Sequence, residues 1–288
     1  MIVVKLKGGL GNQLFQYAMG RVLAKKNGVP FKMDISFFEN YEWHEYSLDP
    51  FSIQKNIATK KEVEKLNSSN IGFLGKIKKR ILGAGKPVVY NENSLAYNAD
   101  YLNISDPAYL DGYWQCEKYF ESEAELIQKE FRVAIPPSKL NADLLQKIKT
   151  TEAISLHIRR GNYVNVDVVN KVHGTCSMEY YEQAIKLVAE KSKQPCFYIF
   201  SDDIPWAKEN LLMPYDHVFV DINDDKTDYE DMRLMYNCRH SILANSTFSW
   251  WGAWLNNNPG KIVIAPKKWF NDPALAAEDL VPSRWIRI

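Results

Sequence analysis

The chain opens with Ile2-Val-Val-Lys-Leu6, followed directly by Gly8-Gly-Leu-Gly-Asn-Gln13. The first run is β-rich, and the glycine segment leads into a helical pattern from about Asn12 to Lys26. Gly28-Val-Pro30 predicts the end of that helix, and residues 30–34 predict a second strand. The order strand, glycine loop, helix, strand is typical of the start of a doubly wound parallel sheet.

The second half of the chain repeats this alternation. Apolar runs that predict strands are separated by helical patterns, and they cover Ala153–Arg159, Pro195–Phe200, His217–Val220, His240–Ala244 and Lys261–Ala265. Such alternation indicates right-handed βαβ crossovers and a second parallel sheet. We therefore predict a two-domain α/β protein with an N-terminal domain over 1–135 and a C-terminal domain over 151–270. Residues 271–288 form a C-terminal tail, which could pack back on the N-terminal domain.

Composition excludes several classes of protein. The 36 Lys and Arg and 35 Asp and Glu give a net charge of +1, which does not support a broad nucleic-acid surface. The four cysteines are far apart and form no Cys-x-x-Cys pair, which argues against a zinc site and a disulfide framework. No apolar run has the length of a signal peptide or of a membrane span. We expect a cytoplasmic protein, and the basic segment 76–86 is either a solvated face or a weak peripheral contact with the inner face of a membrane.

Two arginines stand at the carboxyl end of the first strand of the second half, in His157-Ile-Arg-Arg-Gly161. Ligands of open α/β sheets bind at the carboxyl ends of parallel strands, where Arg159 and Arg160 are expected. The planar guanidinium offers paired, permanently charged donors to a diphosphate. The alternative is a structural arginine–carboxylate pair. Because the chain contains no Asp-x-Asp triplet, we expect no metal, and the arginines can neutralise a diphosphate themselves.

Two later strand ends also carry polar groups. Asp202 can accept hydrogen bonds from a ribose or a guanine edge, although an acidic residue here can also cap the following helix. The segment Asn245-Ser-Thr-Phe-Ser-Trp-Trp251 places the hydroxyls of Ser246 and Thr247 at a helix N-terminus, a suitable seat for phosphate. The tryptophans that follow favour packing over sugar contact.

The glycine loop of the first half predicts close approach to a ligand. Gly9 and Gly11 let the backbone come near, and the amides of Asn12 and Gln13 can bond sugar hydroxyls or a diphosphate. Helix capping is the alternative for these amides. The loop departs from the dinucleotide spacing G-x-G-x-x-G, which disfavours a nicotinamide or flavin cofactor.

Five segments together resemble the bacterial α-1,2-fucosyltransferases of glycosyltransferase family 11, namely Gly8–Tyr17, Gly112–Phe120, His157–Gly161, Phe200–Asp203 and Asn245–Trp251. The resemblance implies a GT-B-type fold, with two Rossmann-like domains facing a central cleft and the donor held by the C-terminal domain. It implies transfer of L-fucose from GDP-β-L-fucose to the 2-hydroxyl of a terminal galactose in a glycan. The transfer would invert the anomeric centre, need no metal or other cofactor, and serve surface polysaccharide or oligosaccharide synthesis.

The resemblance also implies roles for single residues. Arg159 would hold the departing β-phosphate with His157 beside it, and Asn12 would lie between donor and acceptor. The other expected donor contacts are Gly9, Gly11, Gln13, Arg160, Asp202, Asn245, Ser246, Thr247 and Phe248. Asn162 stands where the family usually has Asp, so Asp167 or another group would have to supply a compensating carboxylate. For the acceptor proton, our hypothesis is transfer to a donor phosphate oxygen or to Asp167.

Three questions stay open at this level. Another nucleotide sugar is an alternative donor. A non-catalytic sugar- or nucleotide-binding protein is a second alternative, motivated by Asn162. The aromatic region 37–46 is a candidate for acceptor contact, with core packing as its alternative.

Overall fold

The structure, a computed structural model, describes residues 1–41, 43–68, 88–272, 274–275 and 278–288, without the side chains of Ser68, Asn162, Asn165, Val168 and Val169. The basic segment 76–86 lies outside the described residues. The chain divides into an N-terminal unit, Met1–Phe131, and a C-terminal unit, Arg132–Ile288. No helix among the described residues has both the length and the apolar character needed to cross a bilayer.

The N-terminal unit is built on a four-stranded parallel sheet of order β2-β1-β4-β3. Its strands are β1 Ile2–Lys5, β2 Phe31–Asp34, β3 Val89–Asn91 and β4 Ala108–Asp111. Its α-helices are α1 Leu10–Asn27, α2 Lys60–Ser68 and α3 Ala124–Glu130. A Cβ atom at Gly20 of α1 would lie 2.6 Å from the Phe31 ring, so glycine lets this helix pack closely on the sheet.

The C-terminal unit is built on a six-stranded parallel sheet of order β10-β9-β8-β5-β6-β7. Its strands are β5 Glu152–Ile158, β6 Pro195–Ser201, β7 Asp216–Phe219, β8 His240–Ile242, β9 Val263–Ala265 and β10 Ile286–Arg287. Its α-helices are α4 Lys139–Thr150, α5 Gly161–Asn165, α6 Asp167–Val172, α7 Met178–Ala189, α8 Ile204–Asn210, α9 Asp228–Asn237 and α10 Thr247–Trp254. The chain end lies in this unit, where β10 pairs with β9.

The tryptophans of α10 belong to the core of the C-terminal unit. Trp250 and Trp251 are fully buried, and Trp254 is stacked against Trp250 with ring centroids 6.2 Å apart. The Trp250 indole N–H donates to the carbonyl of Leu280 at 2.8 Å, which satisfies its buried polar group. The packing role that the sequence favours for these rings is therefore confirmed.

Candidate functional site

The carboxyl ends of β6, β5 and β8 are neighbours in the C-terminal sheet. β5 lies between the other two, with Ile158 paired to Ser201 of β6 and Leu156 paired to Ile242 of β8. The three polar segments that follow these strands therefore lie at one edge of the sheet. This is the edge at which open α/β sheets bind ligands.

Asp202 fixes the direction of Arg159. Its Oδ2 atom lies 3.0 Å from Arg159 Nη1, and its Oδ1 atom accepts the backbone N–H of Arg160 at 2.8 Å. A Cβ atom on Gly161 would lie 2.4 Å from Asp202 Oδ2, so this arrangement requires glycine at that position. The Arg159 side chain is 28% exposed. Since a guanidinium has several N–H donors, the contact with Asp202 does not use them all.

Arg160 is bound by protein groups. Its Nε lies 3.3 Å from Asp203 Oδ2, and its guanidinium lies 3.6 Å from the centroid of the Trp206 ring. Asp203 is also the cap of α8, since its Oδ1 accepts the Trp206 backbone N–H at 3.2 Å. The helix cap that the sequence leaves open is thus Asp203. Both arginines form a carboxylate pair, Arg159 with Asp202 and Arg160 with Asp203.

His157 is a buried neutral histidine next to this arginine. It is 4% exposed, its ring centroid lies 5.7 Å from that of Phe248, and its Nδ1 atom is buried without a hydrogen-bond partner within the described part of the chain. Burial, and secondarily the charge of Arg159, lowers the pKa of His157 from 6.5 to about 3. At neutral pH it therefore acts as a hydrogen-bonding group and not as a cation.

The low pKa of His157 predicts an acid-sensitive stability. Between pH 6.5 and about 3 the histidine of the unfolded chain is protonated while the folded one stays neutral. Stability therefore falls as the pH is lowered through this window, by up to about 1.4 kcal/mol per pH unit. We expect His157→Gln to lose this contribution, measured as the difference in urea unfolding free energy between pH 7 and pH 5. The control is His217→Gln, at an exposed histidine, which should keep the wild-type difference in unfolding free energy between pH 7 and pH 5. An equal difference in His157→Gln and wild type would contradict the expectation.

Asn245 connects the end of β8 to two other segments. It is 2% exposed, and its amide nitrogen donates to the carbonyls of His173, Gly174 and Trp269 at 3.0, 3.1 and 3.1 Å. Its amide oxygen lies 3.6 Å from the thiol sulfur of Cys176. The predicted donor contact at Asn245 is thus a side chain engaged with the protein, and it holds the surrounding loops.

The N-terminus of α10 also lies at this edge of the sheet. Ser246 is the cap of this helix, and its hydroxyl oxygen accepts the Phe248 backbone N–H at 3.3 Å. Thr247 is the first helical residue and is half-buried, as is Phe248. The structure therefore brings Ser246, Thr247 and Phe248 to the edge that holds His157. Asp167 is exposed at the start of α6.

The glycine loop lies in the N-terminal unit. Gly9 caps α1, which begins at Leu10, two residues before the predicted start, so Gly11 and Asn12 belong to its first turn. The Asn12 side-chain oxygen accepts the amide of Gln115 at 2.9 Å. Gln13 is fully buried, and its groups contact other parts of the chain.

The amide of Gln13 holds two backbone segments. Its nitrogen donates to the carbonyls of Gly8 and Glu45 at 2.9 and 2.8 Å, and its oxygen accepts the Ser47 N–H at 2.9 Å. Because both ends of the amide bind the backbone, Gln13 holds segment 45–47 against the glycine loop. The sequence alone does not separate this role from ligand binding.

Sequence reasoning missed two further groups near Arg159. The Tyr163 ring lies 5.4 Å from the Arg159 guanidinium and is stacked on His173 with centroids 4.8 Å apart. Burial, and then Asp231, raises the pKa of Asp228 to about 7, and the charge of Arg159 opposes this rise. The available signal for Asp228 is its place in the acidic group Asp228, Glu230 and Asp231, which is typical of the first turn of a helix.

A metal centre is not apparent in the part of the chain that the structure describes. There, no three or more His, Cys, Asp or Glu side chains come together in a group that could hold a metal ion.

Comparison with known proteins shows several relatives of this chain. Escherichia coli alpha-1,2-colitosyltransferase is 34% identical, over 100% of this chain and 99% of its own. The O-antigen biosynthesis glycosyltransferase WbnK of Escherichia coli is 32% identical, over 92% and 93%. Galactoside alpha-(1,2)-fucosyltransferase 1 of Mus musculus is 27% identical, over 54% of this chain and 44% of its own.

Solved structures and a family model complete the comparison. A mutant of Arabidopsis thaliana FUT1 in complex with GDP matches with a TM-score of 0.51 at 12% identity, covering 98% of this chain and 75% of its own. The predicted α/β fold class of the GT-B type is confirmed by this likeness and by the parallel sheets. The model of glycosyl transferase family 11 matches residues 1–288. The protein is thus a glycosyltransferase and belongs to glycosyl transferase family 11.

Proposed function

We propose that this protein transfers L-fucose from GDP-β-L-fucose to the 2-hydroxyl of a terminal galactose, with inversion and without a metal. The observation that carries the proposal is the partly exposed Arg159 guanidinium, held by Asp202 at 3.0 Å at the sheet edge where the N-terminus of α10 also lies. The names of relatives support the linkage, since both the colitosyltransferase and the fucosyltransferase are described as α-1,2 enzymes.

The proposed reaction separates charge. The bond between the fucose anomeric carbon and the β-phosphate oxygen breaks, and the acceptor oxygen forms the new bond to that carbon. Negative charge then develops on the phosphate, where Arg159 and the α10 N-terminus are suited to stabilise it. Neutral His157 adds a hydrogen-bonding group without adding charge. The acceptor proton leaves to Asp167 or to a donor phosphate oxygen.

A colitosyl donor is the second candidate. The colitosyltransferase relative aligns with the whole chain at 34% identity, whereas the mouse fucosyltransferase aligns with 54% of it at 27%. The two candidates share the α-1,2 linkage and differ in the transferred sugar. Turnover with one donor and not the other separates them.

Thermal unfolding with GDP, UDP, ADP and NAD, each with and without EDTA, tests the nucleotide. A ligand at 100 times its Kd adds about 2.7 kcal/mol to the stability. We expect GDP alone to stabilise the protein and EDTA to have no effect, followed by turnover of GDP-fucose with galactosides. Stabilisation by UDP, or a response that EDTA removes, would contradict the donor or the metal independence. Binding of GDP without turnover of any sugar donor would indicate the non-catalytic protein.

Replacement of Asp167 tests the base. If this exposed carboxylate takes the acceptor proton, Asp167→Asn lowers kcat by about 10²-fold, the lower range for a general base, and removes the acid limb of the pH–rate profile. The exposed Asp143 of α4 gives a matched control, Asp143→Asn, which should behave as wild type. An unchanged pH–rate profile in Asp167→Asn would leave the phosphate oxygen as the base.

A further inference from the structure

The segment that follows β2 carries aromatic rings that the core does not use. Trp43 is 54% exposed and Tyr41 is 36% exposed, although both are large and partly apolar. Core packing, the alternative that the sequence leaves open for this region, removes rings from water and does not account for these two. Exposed rings held next to one another indicate a binding surface.

The two exposed rings and the half-buried rings of Phe37 and His44 form one connected group. The ring centroid of Tyr41 lies 4.5 Å from that of Phe37, 6.2 Å from that of Trp43 and 6.1 Å from that of His44. The planes of Tyr41 and His44 differ by 30°, so these two rings are stacked. We call Tyr41, Trp43 and His44 the aromatic platform.

The aromatic platform lies against the glycine loop. A Cβ atom on Gly9 would be 3.4 Å from His44 Cε1, so the histidine ring is in contact distance of that turn. Buried Gln13 fixes this proximity through its bonds to the backbone of Glu45 and Ser47. The loop follows β1 and the platform follows β2, and these strands are adjacent and parallel. Both therefore lie at the carboxyl edge of the N-terminal sheet, where ligands bind.

Polar groups adjoin the platform at the same edge. Tyr113 follows β4, the other neighbour of β1. Burial raises the pKa of Tyr113, and the Tyr41 hydroxyl acts in the same direction. The Lys7 ammonium lies 4.7 Å from the Tyr113 ring centroid and 2.7 Å from Asp111 Oδ1. Aromatic faces bordered by hydroxyl, ammonium and carboxylate groups match a sugar, which has an apolar C–H face and a rim of hydroxyls.

We propose that the aromatic platform is the subsite for the terminal galactoside of the acceptor, with the Trp43 and Tyr41 ring faces against the C–H face of the sugar. The inference rests on the proposed function, and it assigns the part of the site that binds the acceptor. Burial of apolar sugar surface on the rings provides binding free energy. The neighbouring polar groups orient the hydroxyls.

Steady-state kinetics with lactose and N-acetyllactosamine test this subsite. We expect Trp43→Ala to raise the acceptor KM by about tenfold, the factor that corresponds to about 1.4 kcal/mol. Trp43→Phe keeps a ring and should stay within about threefold of wild type, because the sugar still has an aromatic face. The donor KM and the thermal shift with GDP should not change in either variant. Leu212→Ala, at a leucine that is 79% exposed in the C-terminal unit, is the matched control.

Direct binding separates this inference from the proposed function. Trp43 is the most exposed tryptophan, so lactose added to the GDP-loaded protein should change its fluorescence, and Trp43→Phe should remove that change. Acceptor KM values unchanged in both Trp43→Ala and Tyr41→Ala would overturn the subsite. A protein that binds GDP yet neither binds nor modifies these galactosides would overturn it as well. Failure of the wild type to bind GDP would instead overturn the proposed function.

Discussion

Replacement of Arg159 by alanine is expected to lower kcat by about 10²-fold or more, the usual result of removing one preorganised donor to a developing negative charge. The guanidinium is held by Asp202 at 3.0 Å, so its position is set before the donor binds. Electrostatic stabilisation from a preorganised group needs no rearrangement during the reaction, which explains the size of the effect. The measurement is kcat with GDP-fucose and a galactoside, together with the Kd for GDP.

Two further variants make the Arg159 experiment specific. Arg159→Lys keeps a positive charge but loses the planar fork, so its kcat should lie between those of wild type and Arg159→Ala. Arg239 is a partly exposed arginine whose Nη1 atom lies 3.8 Å from Glu152 at the opposite end of β5, and Arg239→Ala should retain wild-type kcat. A kcat for Arg159→Ala equal to that of Arg239→Ala would remove Arg159 from the reaction.

Asn245→Ala is expected to reduce the free energy of unfolding by about 2–4 kcal/mol. The change removes one amide that serves three backbone carbonyls, those of His173, Gly174 and Trp269, and each buried acceptor left without a partner is costly. The contributions are not additive, so the estimate stays below their sum. Urea unfolding at pH 7, with the slope m compared between proteins, measures the change.

A matched asparagine serves as the control for Asn245. Asn210 is exposed at the end of α8, and its amide donates to a single carbonyl, that of Trp206, at 2.9 Å. Asn210→Ala should change stability by less than about 0.5 kcal/mol. Asn245→Asp keeps the shape but directs a carboxylate at carbonyl oxygens, and we expect it to be as destabilising as alanine. Equal stabilities for the Asn245 and Asn210 variants would refute the bridging role.

Local signals in the sequence predict much of the fold. The left-handed Gly28, with φ of 64°, ends α1 where the glycine and the following proline predict it. Strand and helix alternation predicts two parallel sheets, and the strand ends predict the edge that brings together His157, Arg159 and Asp202. These features depend on residues close in the chain, such as a glycine that permits positive φ or an apolar run of strand length. The family resemblance of the five segments is likewise present in the linear sequence.

Tertiary structure decides which polar groups remain for a ligand. Asp202 and Asp203 are adjacent in the chain, yet one contacts Arg159 and the other contacts Arg160 and caps α8. Gln13 and Asn245 carry amides that suit a sugar or a phosphate, but segments distant in the chain use those amides.

Tertiary structure also decides which aromatic rings are buried and which are exposed. The tryptophans of α10 are buried, whereas Trp43 is exposed beside the glycine loop. The physical reason is that a hydrogen bond or a ring contact requires a partner at a few ångströms, and strand order and loop placement determine which partner arrives there. The sequence by itself determines the alternation of strands and helices, the family and the edge of the sheet. Only the folded chain determines which side chains at that edge are engaged with the protein and which face solvent.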